Sequence, residues 1–323
     1  MFRTILIALI ALIAAMPPTQ AAPEKLILGH IGVSGSTLEW TATAVITEIE
    51  RWQPGRFAIE NKGGSTLGGE VDIWEGVKLG TVDLAIVTAA AITPSVPELG
   101  ALSIPFLFRD TDHVARVLNG PIGDELGASL EAHGVAFLGF AEHGFRHVSN
   151  SKRPVLRPAD LVGLRIRVIP NPIYEMTFKA LGAEVVPMAW PAVYGALEDG
   201  RIDGQEAALL SFSSSHFERV QKHLTLTGHI YSGLVIAINQ QVYQRLSADE
   251  RRALHEATQA VGVATRPLVV ARNQQIIAEL RQKGVAIAET FDRPAFIQAV
   301  EPLWPEWERQ FGASLLQRIR DAR

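Results

Sequence analysis

The segment from residue 161 to residue 206 constrains the fold most, because short β-branched runs alternate there with runs of helical periodicity. Residues 164–169 alternate charged and apolar side chains up to Pro170, which has no N–H to donate and therefore ends a strand. A helical run follows, and the succession of strand and helix repeats up to a third strand at Ile202. This order predicts a largely parallel sheet with helices on its faces.

Arg167 lies near the end of the first strand in this segment. In open α/β sheets, ligands bind beyond the carboxyl ends of the strands. The planar guanidinium of an arginine can hold a carboxylate through two parallel hydrogen bonds, which a lysine cannot reproduce. Arg167 is therefore a candidate anion-binding residue. From the local pattern alone, however, Arg165 and Arg167 can equally form the polar face of an edge strand.

Short motifs follow one another in a fixed order along the chain: PFLF at 105–108, GFRH at 144–147, SNSK at 149–152, GLRIRV at 163–168, PM at 187–188, VYGAL at 193–197 and DGQE at 203–206. Together these motifs resemble those of the DctP-like family, the periplasmic solute-binding subunits of TRAP transporters. The resemblance runs from about Lys25 to the C-terminal helix. Several ordered motifs are far more specific than a single one.

The resemblance implies an α/β periplasmic-binding-protein fold of type II-like architecture. Two lobes, each a mostly parallel sheet flanked by helices, would be hinged around a central cleft. Residues 74–83 and 194–203 share an arrangement of helix, glycine and strand, as expected of two similar lobes. Helix-glycine-strand punctuation is also common in other α/β proteins. A mature chain of about 300 residues exceeds the size at which one core usually stops growing, which also favours two lobes.

The resemblance further implies that the chain passes between the lobes more than once. We expect a crossing near His143, after a strand over residues 135–141, and a long helical stretch over residues 247–283 that is bent near Pro267. We predict a signal peptide at residues 1–21. The first lobe would consist of residues 22–143 plus 232–272, and the second lobe of residues 144–231 plus 273–323.

The resemblance implies a role in ligand binding for each of five residues. Arg167 would be the principal clamp on a substrate carboxylate, and Arg146 a second cation near the same cleft. Trp190 would lie against the carbon skeleton of the ligand, although ordinary core packing is the alternative. The hydroxyl of Thr88 would bond to the ligand. Glu206 would hold an arginine or a ligand hydroxyl in place.

One departure from the family concerns the residues after the DGQE motif. Family members often have Asn and Pro there, whereas this chain has Ala207 and Ala208. An amide that would bond the ligand is therefore absent, which leaves room for a bulkier or more apolar ligand. The ligand class stays open among sugar acids, C4-dicarboxylates, 2-oxo or hydroxy acids and aromatic acids.

No complete catalytic or metal-binding set is found in the sequence. The absence of cysteine excludes disulfides, thiol catalysis, thiolate metal sites and lipid attachment at a cysteine. His143 and His147 have a spacing used for zinc on helices, but Gly144 argues against a helix, and we interpret both as loop or rim histidines. Glu70 is interpreted as part of a solvated helix face. We therefore expect no enzyme activity, no metal and no cofactor.

The N-terminal 21 residues have the composition of a secretory signal. Arg3 precedes an apolar run over residues 5–16, and a small-x-small cleavage site ends at Ala21. The run is shorter than the roughly 17 residues that a membrane-spanning helix needs. We therefore expect a periplasmic protein that is cleaved near Ala21.

The expected partners follow from charge and from the resemblance. A net charge of -4 provides no basic face for nucleic acid. The resemblance implies a monomer that carries a small carboxylate ligand to the small and large membrane subunits of a TRAP transporter, with uptake driven by an ion gradient. Two alternatives stay open: an accessory protein that presents its closed form to a receptor, and an enzyme acting on an organic acid.

Overall fold

The computed structural model describes residues 22–322, so the predictions for the signal segment lie outside the described residues. Ten strands form in this part of the chain: β1 Glu24–Gly29, β2 Phe57–Lys62, β3 Leu84–Thr88, β4 Val135–Asn150, β5 Arg165–Val168, β6 Glu184–Pro187, β7 Gly204–Ala208, β8 His223–Thr225, β9 Tyr231–Asn239 and β10 Ala286–Ala288.

Thirteen α-helices connect and flank these strands within the same residues: α1 Thr37–Trp52, α2 Glu70–Leu79, α3 Ala89–Ile92, α4 Thr111–Leu118, α5 Pro121–Ala128, α6 Pro172–Ala180, α7 Val193–Glu198, α8 Leu209–Ser214, α9 Gln240–Arg245, α10 Ala248–Gln282, α11 Arg293–Val300, α12 Trp304–Phe311 and α13 Ala313–Asp321. Short 3-10 turns lie between them, among them Trp190–Ala192. None of the helices in residues 22–322 combines the length and the apolar character needed to cross a membrane.

The strands form one continuous mixed sheet with the order β2-β1-β3-β9-β4-β7-β5-β6, and β8 and β10 are attached beside β4. The strands β1, β2 and β3 are parallel at one end, and β5, β6 and β7 are parallel at the other. The central strands β4 and β9 run antiparallel to their neighbours. The predicted α/β class is confirmed. The predicted parallel pairing is found toward the two ends of the sheet and between β8 and β10, but not at β4 and β9.

The long strand β4 connects the two halves of the sheet. It pairs with β9 over residues 135–145 and with β7 over residues 146–150, with a register shift between Glu142 and Gly144. We predicted that the strand ends at residue 141, which is wrong. It continues because β9 still pairs with it up to Phe145 and β7 pairs with it from Arg146, and Gly144 takes a φ of 107° at the irregularity, a conformation that suits glycine.

The helix α10 passes along both halves of the molecule and packs against β4, α1 and α8. Ser247 caps it by accepting a hydrogen bond from the amide of Glu250, whose side chain bonds back to the Ser247 amide. The predicted helical stretch over residues 247–283 is therefore confirmed. Pro267 lies inside the helix, and the predicted bend there stays a prediction.

The C-terminal helix α13 contacts elements of the first half of the chain. The carbonyl of Ile319 lies 2.6 Å from the Nε2 atom of His113 on α4, and Arg318 pairs with Glu125 on α5. The lobe boundaries stay a prediction. These contacts show that the segment assigned to the second lobe, residues 273–323, also packs on the half that contains α4 and α5.

Two apolar cores lie within residues 22–322, and the larger one extends over both ends of the sheet, from β1 to β5. The larger core includes the fully buried side chains of Leu28, Ile73 and Trp74, which pack β1 against α2. The smaller one lies between α7, α8 and the last third of α10, and includes Phe212 and Ile276. The side chains of the candidate site lie where the two halves meet.

Candidate functional site

Arg167 lies on β5 between the neighbouring strands β6 and β7. The edge-strand interpretation of Arg165 and Arg167 is therefore wrong. The two arginines also differ in environment, because the Arg165 side chain is 40% exposed and pairs with Asp203, whereas Arg167 is only 2% exposed. The buried position near the carboxyl end of β5 is the one expected of a ligand-binding residue.

The Arg167 guanidinium is held in place but not neutralised. Its Nε donates a hydrogen bond of 2.8 Å to the carbonyl of Met188, and its central carbon lies 5.4 Å from the centroid of the Trp190 ring. Its NH1 atom is buried without a hydrogen-bond partner in the described part of the chain. Burial lowers the pKa of Arg167 to about 10, so the group is still a cation at neutral pH.

Arg146, in contrast, already has a carboxylate partner. It lies on β4, and its Nε and NH2 atoms donate to the two carboxylate oxygens of Glu206 on β7, while NH2 also donates to the Glu206 carbonyl at 2.7 Å. Burial would raise the pKa of Glu206, but the Arg146 charge reverses this and holds the pKa below its usual value. This buried pair is internally neutral, and its predicted contacts with a ligand stay predictions.

A cavity lies over the Arg167 guanidinium. It holds about 470 Å³ not filled by protein atoms, space open to solvent included. Four of the five predicted site residues line it, whereas Glu206 lies behind Arg146. The polar lining consists of Ser36, Glu70, Thr88, His143, Arg146, Arg167, Ser211, Ser214 and Ser215, and the apolar lining includes Ile31, Leu38, Ile169, Trp190 and Ala207.

Glu70 is a cavity residue that we did not predict. The solvated-face interpretation is wrong, because the first residue of α2 faces the cavity and both carboxylate oxygens bind Thr88. The Thr88 amide donates to Oε1 at 2.5 Å, and the Thr88 hydroxyl donates to Oε2 at 3.1 Å. Burial raises the pKa of Glu70, while the Thr88 donors and the nearby arginines oppose that shift. Its position directly after the glycine-rich turn at residues 63–69 was the only available sequence signal.

The Thr88 hydroxyl is therefore engaged within the protein. It donates to Glu70 and accepts a hydrogen bond of 3.3 Å from the amide of Ala91 at the start of α3. Thr88 lines the cavity as predicted, but its hydroxyl hydrogen points to Glu70. The predicted bond from Thr88 to a ligand stays a prediction.

Trp190 combines the two roles that the sequence left open. Its ring centroid lies 5.2 Å from that of Phe217 at an interplanar angle of 33°, which is a packing contact. The ring also faces the Arg167 guanidinium and lines the cavity, and the side chain is only partly buried. Trp190 thus supports the cation through a cation–π contact while leaving aromatic surface for a ligand.

His143 bridges the two sides of the cavity. Its Nδ1 atom lies 2.8 Å from the Thr37 hydroxyl at the start of α1, and its Nε2 atom lies 3.2 Å from the Ser211 hydroxyl on α8. Burial, together with the charge of Arg146, lowers the pKa of His143 to about 3, so the ring is neutral. The interpretation of His143 and His147 as loop residues is wrong, because both lie on β4, but His143 does line the cavity. Within residues 22–322 no group of three or more acidic or histidine side chains is arranged to hold a metal ion.

Glu142 is a buried carboxyl at the irregularity of β4. It is 1% exposed, and its Oε2 atom accepts from Nε of Arg266 on α10 at 3.3 Å. Burial raises its pKa to about 7, although the Arg266 charge partly opposes the shift. At a pH between the unfolded pKa of 4.5 and the folded pKa of about 7, Glu142 is protonated in the folded state and ionised in the unfolded state. Its contribution to the free energy of unfolding therefore falls as the pH rises through this range.

We expect Glu142→Gln to remove a pH dependence of the free energy of unfolding. A carboxyl whose pKa rises from 4.5 to about 7 on folding costs on the order of 3 kcal/mol once the solution pH exceeds both values. Urea unfolding at pH 5 and pH 8 measures this: the wild type loses stability over that interval relative to the variant. Glu75→Gln, at an exposed carboxylate on α2, serves as the control. Parallel pH profiles of wild type and Glu142→Gln contradict the assignment.

Comparison with known proteins gives a consistent result. The sequence profile of a family described as bacterial extracellular solute-binding protein, family 7 (DctP), matches residues 28–310. The 2,3-diketo-L-gulonate-binding periplasmic protein YiaO of Escherichia coli K12 is 36% identical over 90% of this chain and 89% of its own length.

Two solved structures of TRAP periplasmic solute-binding proteins are similar along almost the whole chain. One, from Polaromonas sp. JS666 and bound to D-erythronate, has a TM-score of 0.91 at 35% identity and covers 93% of this chain and 99% of its own. The other, from Bordetella bronchispeptica and with density assigned to pantoate, has a TM-score of 0.90 at 37% identity with the same coverage of both chains. This likeness confirms the predicted two-lobed fold.

Proposed function

Because this chain belongs to the DctP family of bacterial extracellular solute-binding proteins, we propose that its cavity captures a small carboxylate through Arg167. The protein is the solute-binding component of a TRAP transporter, and its family consists of binding proteins and not of enzymes. One observation carries the proposal: the NH1 atom of Arg167 is buried in the cavity wall without a hydrogen-bond partner in residues 22–322.

A buried and unpaired guanidinium favours the binding of an anion for a physical reason. Arg167 has lost most of its hydration, and no carboxylate of the described chain lies within 4 Å of it. A ligand carboxylate that accepts from its free N–H groups supplies the missing partner and restores hydrogen bonds that water no longer provides. Arg146 provides no comparable attraction, because Glu206 already neutralises it.

The similar proteins narrow the ligand class for this chain. The compounds named for the three of them are D-erythronate, pantoate and 2,3-diketo-L-gulonate, and each has one carboxylate together with hydroxyl or oxo groups. The cavity has polar lining on several sides and an apolar wall that includes Ala207 and Trp190. A small hydroxylated or oxo acid, with a C4-dicarboxylate as the other class, fits this combination.

The mechanism that follows is a hinged closure. The two lobes, residues 22–143 plus 232–272 and residues 144–231 plus 273–323, would close over a ligand held by Arg167, and binding would shift the population toward the closed form. The crossing strand β4 and helix α10 would form the hinge region. The closed, monomeric protein, exported to the periplasm after cleavage near Ala21, would then be recognised by the small and large membrane subunits.

A thermal-shift screen of the mature protein tests the proposal. A ligand at about 100 times its Kd stabilises the folded state by about 2.7 kcal/mol, which raises the Tm of a chain of this length by about 4 °C. We expect such a rise with a narrow set of carboxylic acids and none with matched neutral sugars or amines. A shift produced only by neutral or cationic compounds would contradict carboxylate capture.

A further inference from the structure

We propose that Glu70, held by Thr88 in the cavity wall, makes this protein select acids with one carboxylate and nearby hydroxyl groups over dicarboxylates. The inference rests on the proposed function, because it concerns the part of the ligand that extends beyond the carboxylate bound by Arg167. It assigns to Glu70 a role in specificity, separate from the role of Arg167 in affinity.

The position of the Glu70 carboxylate is fixed from within the protein. Both oxygens accept a hydrogen bond from Thr88, one from the amide and one from the hydroxyl. Thr88 is itself fixed at the end of β3, where it caps α3. A carboxylate that uses one acceptor position on each oxygen keeps further lone pairs free. Because Glu70 lines the cavity, these lone pairs are available to a donor in the ligand.

The charges around the cavity determine which ligand group can lie favourably next to Glu70. Among the lining residues of the described chain, the cations are Arg146 and Arg167, and His143 is neutral because burial lowers its pKa to about 3. Arg146 is neutralised by Glu206, so one cation is left for one ligand carboxylate. A second carboxylate would find no unpaired cation among these lining residues and would meet the acceptor oxygens of Glu70, to which an ionised carboxylate has no proton to donate.

A hydroxyl group at the same place has the opposite effect. It donates a hydrogen bond to a Glu70 oxygen that has a lone pair left beside its bond from Thr88. An analogue without the hydroxyl group does not form this bond and therefore binds less tightly. Arg167 and Glu70 thus form a matched pair, one for the carboxylate end of the ligand and one for its hydroxyl groups.

Isothermal titration calorimetry with three four-carbon acids tests this selectivity. D-Erythronate has one carboxylate and three hydroxyl groups, succinate has two carboxylates, and butyrate has one carboxylate and no hydroxyl group. We expect wild-type protein to bind D-erythronate at least about 30-fold more tightly than either of the others, as one charged hydrogen bond implies. In Glu70→Gln, D-erythronate binding weakens about tenfold and succinate binding strengthens, so the ratio between them collapses.

The controls separate this inference from the proposed function. Glu75→Gln, on the same helix but paired with exposed Lys78, keeps the wild-type ratio. If carboxylate capture is right, Arg167→Ala no longer binds D-erythronate or succinate. This result does not depend on the role of Glu70. An unchanged ratio in Glu70→Gln, tighter binding of succinate by the wild type, or no binding of any of the three acids overturns the inference. If Glu70→Gln does not fold, as judged by its Tm, Glu70→Ala carries the same expectation.

Discussion

Arg167→Ala weakens the binding of carboxylic acids by about 100-fold or more. Truncating one partner of a buried, hydrogen-bonded charge pair costs about 2–5 kcal/mol, and every 1.4 kcal/mol is a tenfold change in Kd. The loss is large because Arg167 is the buried cation whose NH1 has no partner in the described chain, and Arg146 cannot replace it while it is bound to Glu206. Calorimetric titration of the best acid from the thermal-shift screen measures the effect.

Two further variants define what Arg167 contributes. Arg167→Lys also binds weakly, because an ammonium group lacks the planar fork that grips both oxygens of a carboxylate. Arg165→Ala, two residues earlier on β5, keeps its affinity within a few-fold, since Arg165 pairs with Asp203 away from the cavity. Retention of wild-type affinity by Arg167→Ala would remove the clamp from the proposed mechanism.

The stability of the ligand-free protein separates binding from folding in this series. Removing a buried charge that has no carboxylate partner relieves a desolvation cost, so ligand-free Arg167→Ala should melt no lower than the wild type. The ligand-induced rise in Tm is then absent from a well-folded protein. A variant that lost affinity because it was misfolded would instead show a lower Tm without ligand.

The sequence predicted those parts of the site that depend on local pattern. The alternation of strand and helix located β5 and ended it near Pro170, and the ordered motifs singled out Arg167, Arg146 and Glu206. These positions follow from residue types at short spacing. The α/β class follows equally from periodicity, because hydrophobic patterning is set by the local period of each element.

The parts that sequence reasoning missed depend on pairing between distant segments. Glu70 and Thr88 are 18 residues apart and come into contact because α2 packs on β3. The periodicity of a helix does not show which of its polar residues faces a cleft. The continuation of β4 past residue 141 depends first on its pairing with β9 up to Phe145 and then on its pairing with β7, both more than 50 residues later in the chain. His143 was misread for the same reason, since its partners Thr37 and Ser211 lie on different sides of the cavity.

The charge balance of the site shows what the motif resemblance alone leaves out. The resemblance makes Arg167 the principal clamp and Arg146 a second cation, but it does not show which of the two has a carboxylate partner within the protein. Only the pairing of β4 with β7 brings Glu206 onto Arg146, while Arg167 has no ion pair with a carboxylate of residues 22–322. The distinction matters because, within residues 22–322, it leaves Arg167 as the cavity arginine with an unpaired N–H group, and because we expect the loss of the Arg146–Glu206 pair to lower stability.

We expect Glu206→Gln to lower the stability of the ligand-free protein by about 3–5 kcal/mol, the cost of leaving a buried charge without its partner. Arg146 is 3% exposed and Glu206 is fully buried, so water cannot replace the lost carboxylate. For a chain of this length, the expected fall in Tm is about 5–8 °C. Thermal and urea unfolding at pH 7 measure the change. Glu75→Gln, which breaks an exposed pair with Lys78, should change stability by less than about 1 kcal/mol.

A double variant and the pH dependence show whether that loss comes from the pair itself. Arg146→Gln combined with Glu206→Gln should be less destabilised than the sum of the single changes, because no buried charge is left unpaired. The pKa of Glu206 is held below its usual 4.5 in the folded state, so its contribution is complete above pH 4.5 and is lost as the pH falls toward the folded value. The difference between wild type and Glu206→Gln should therefore shrink in acid. Equal stability of the two proteins at pH 7 would mean that the Arg146 charge is tolerated without Glu206, so that the variant's cavity contains a second cation available to a ligand, which would also favour dicarboxylates.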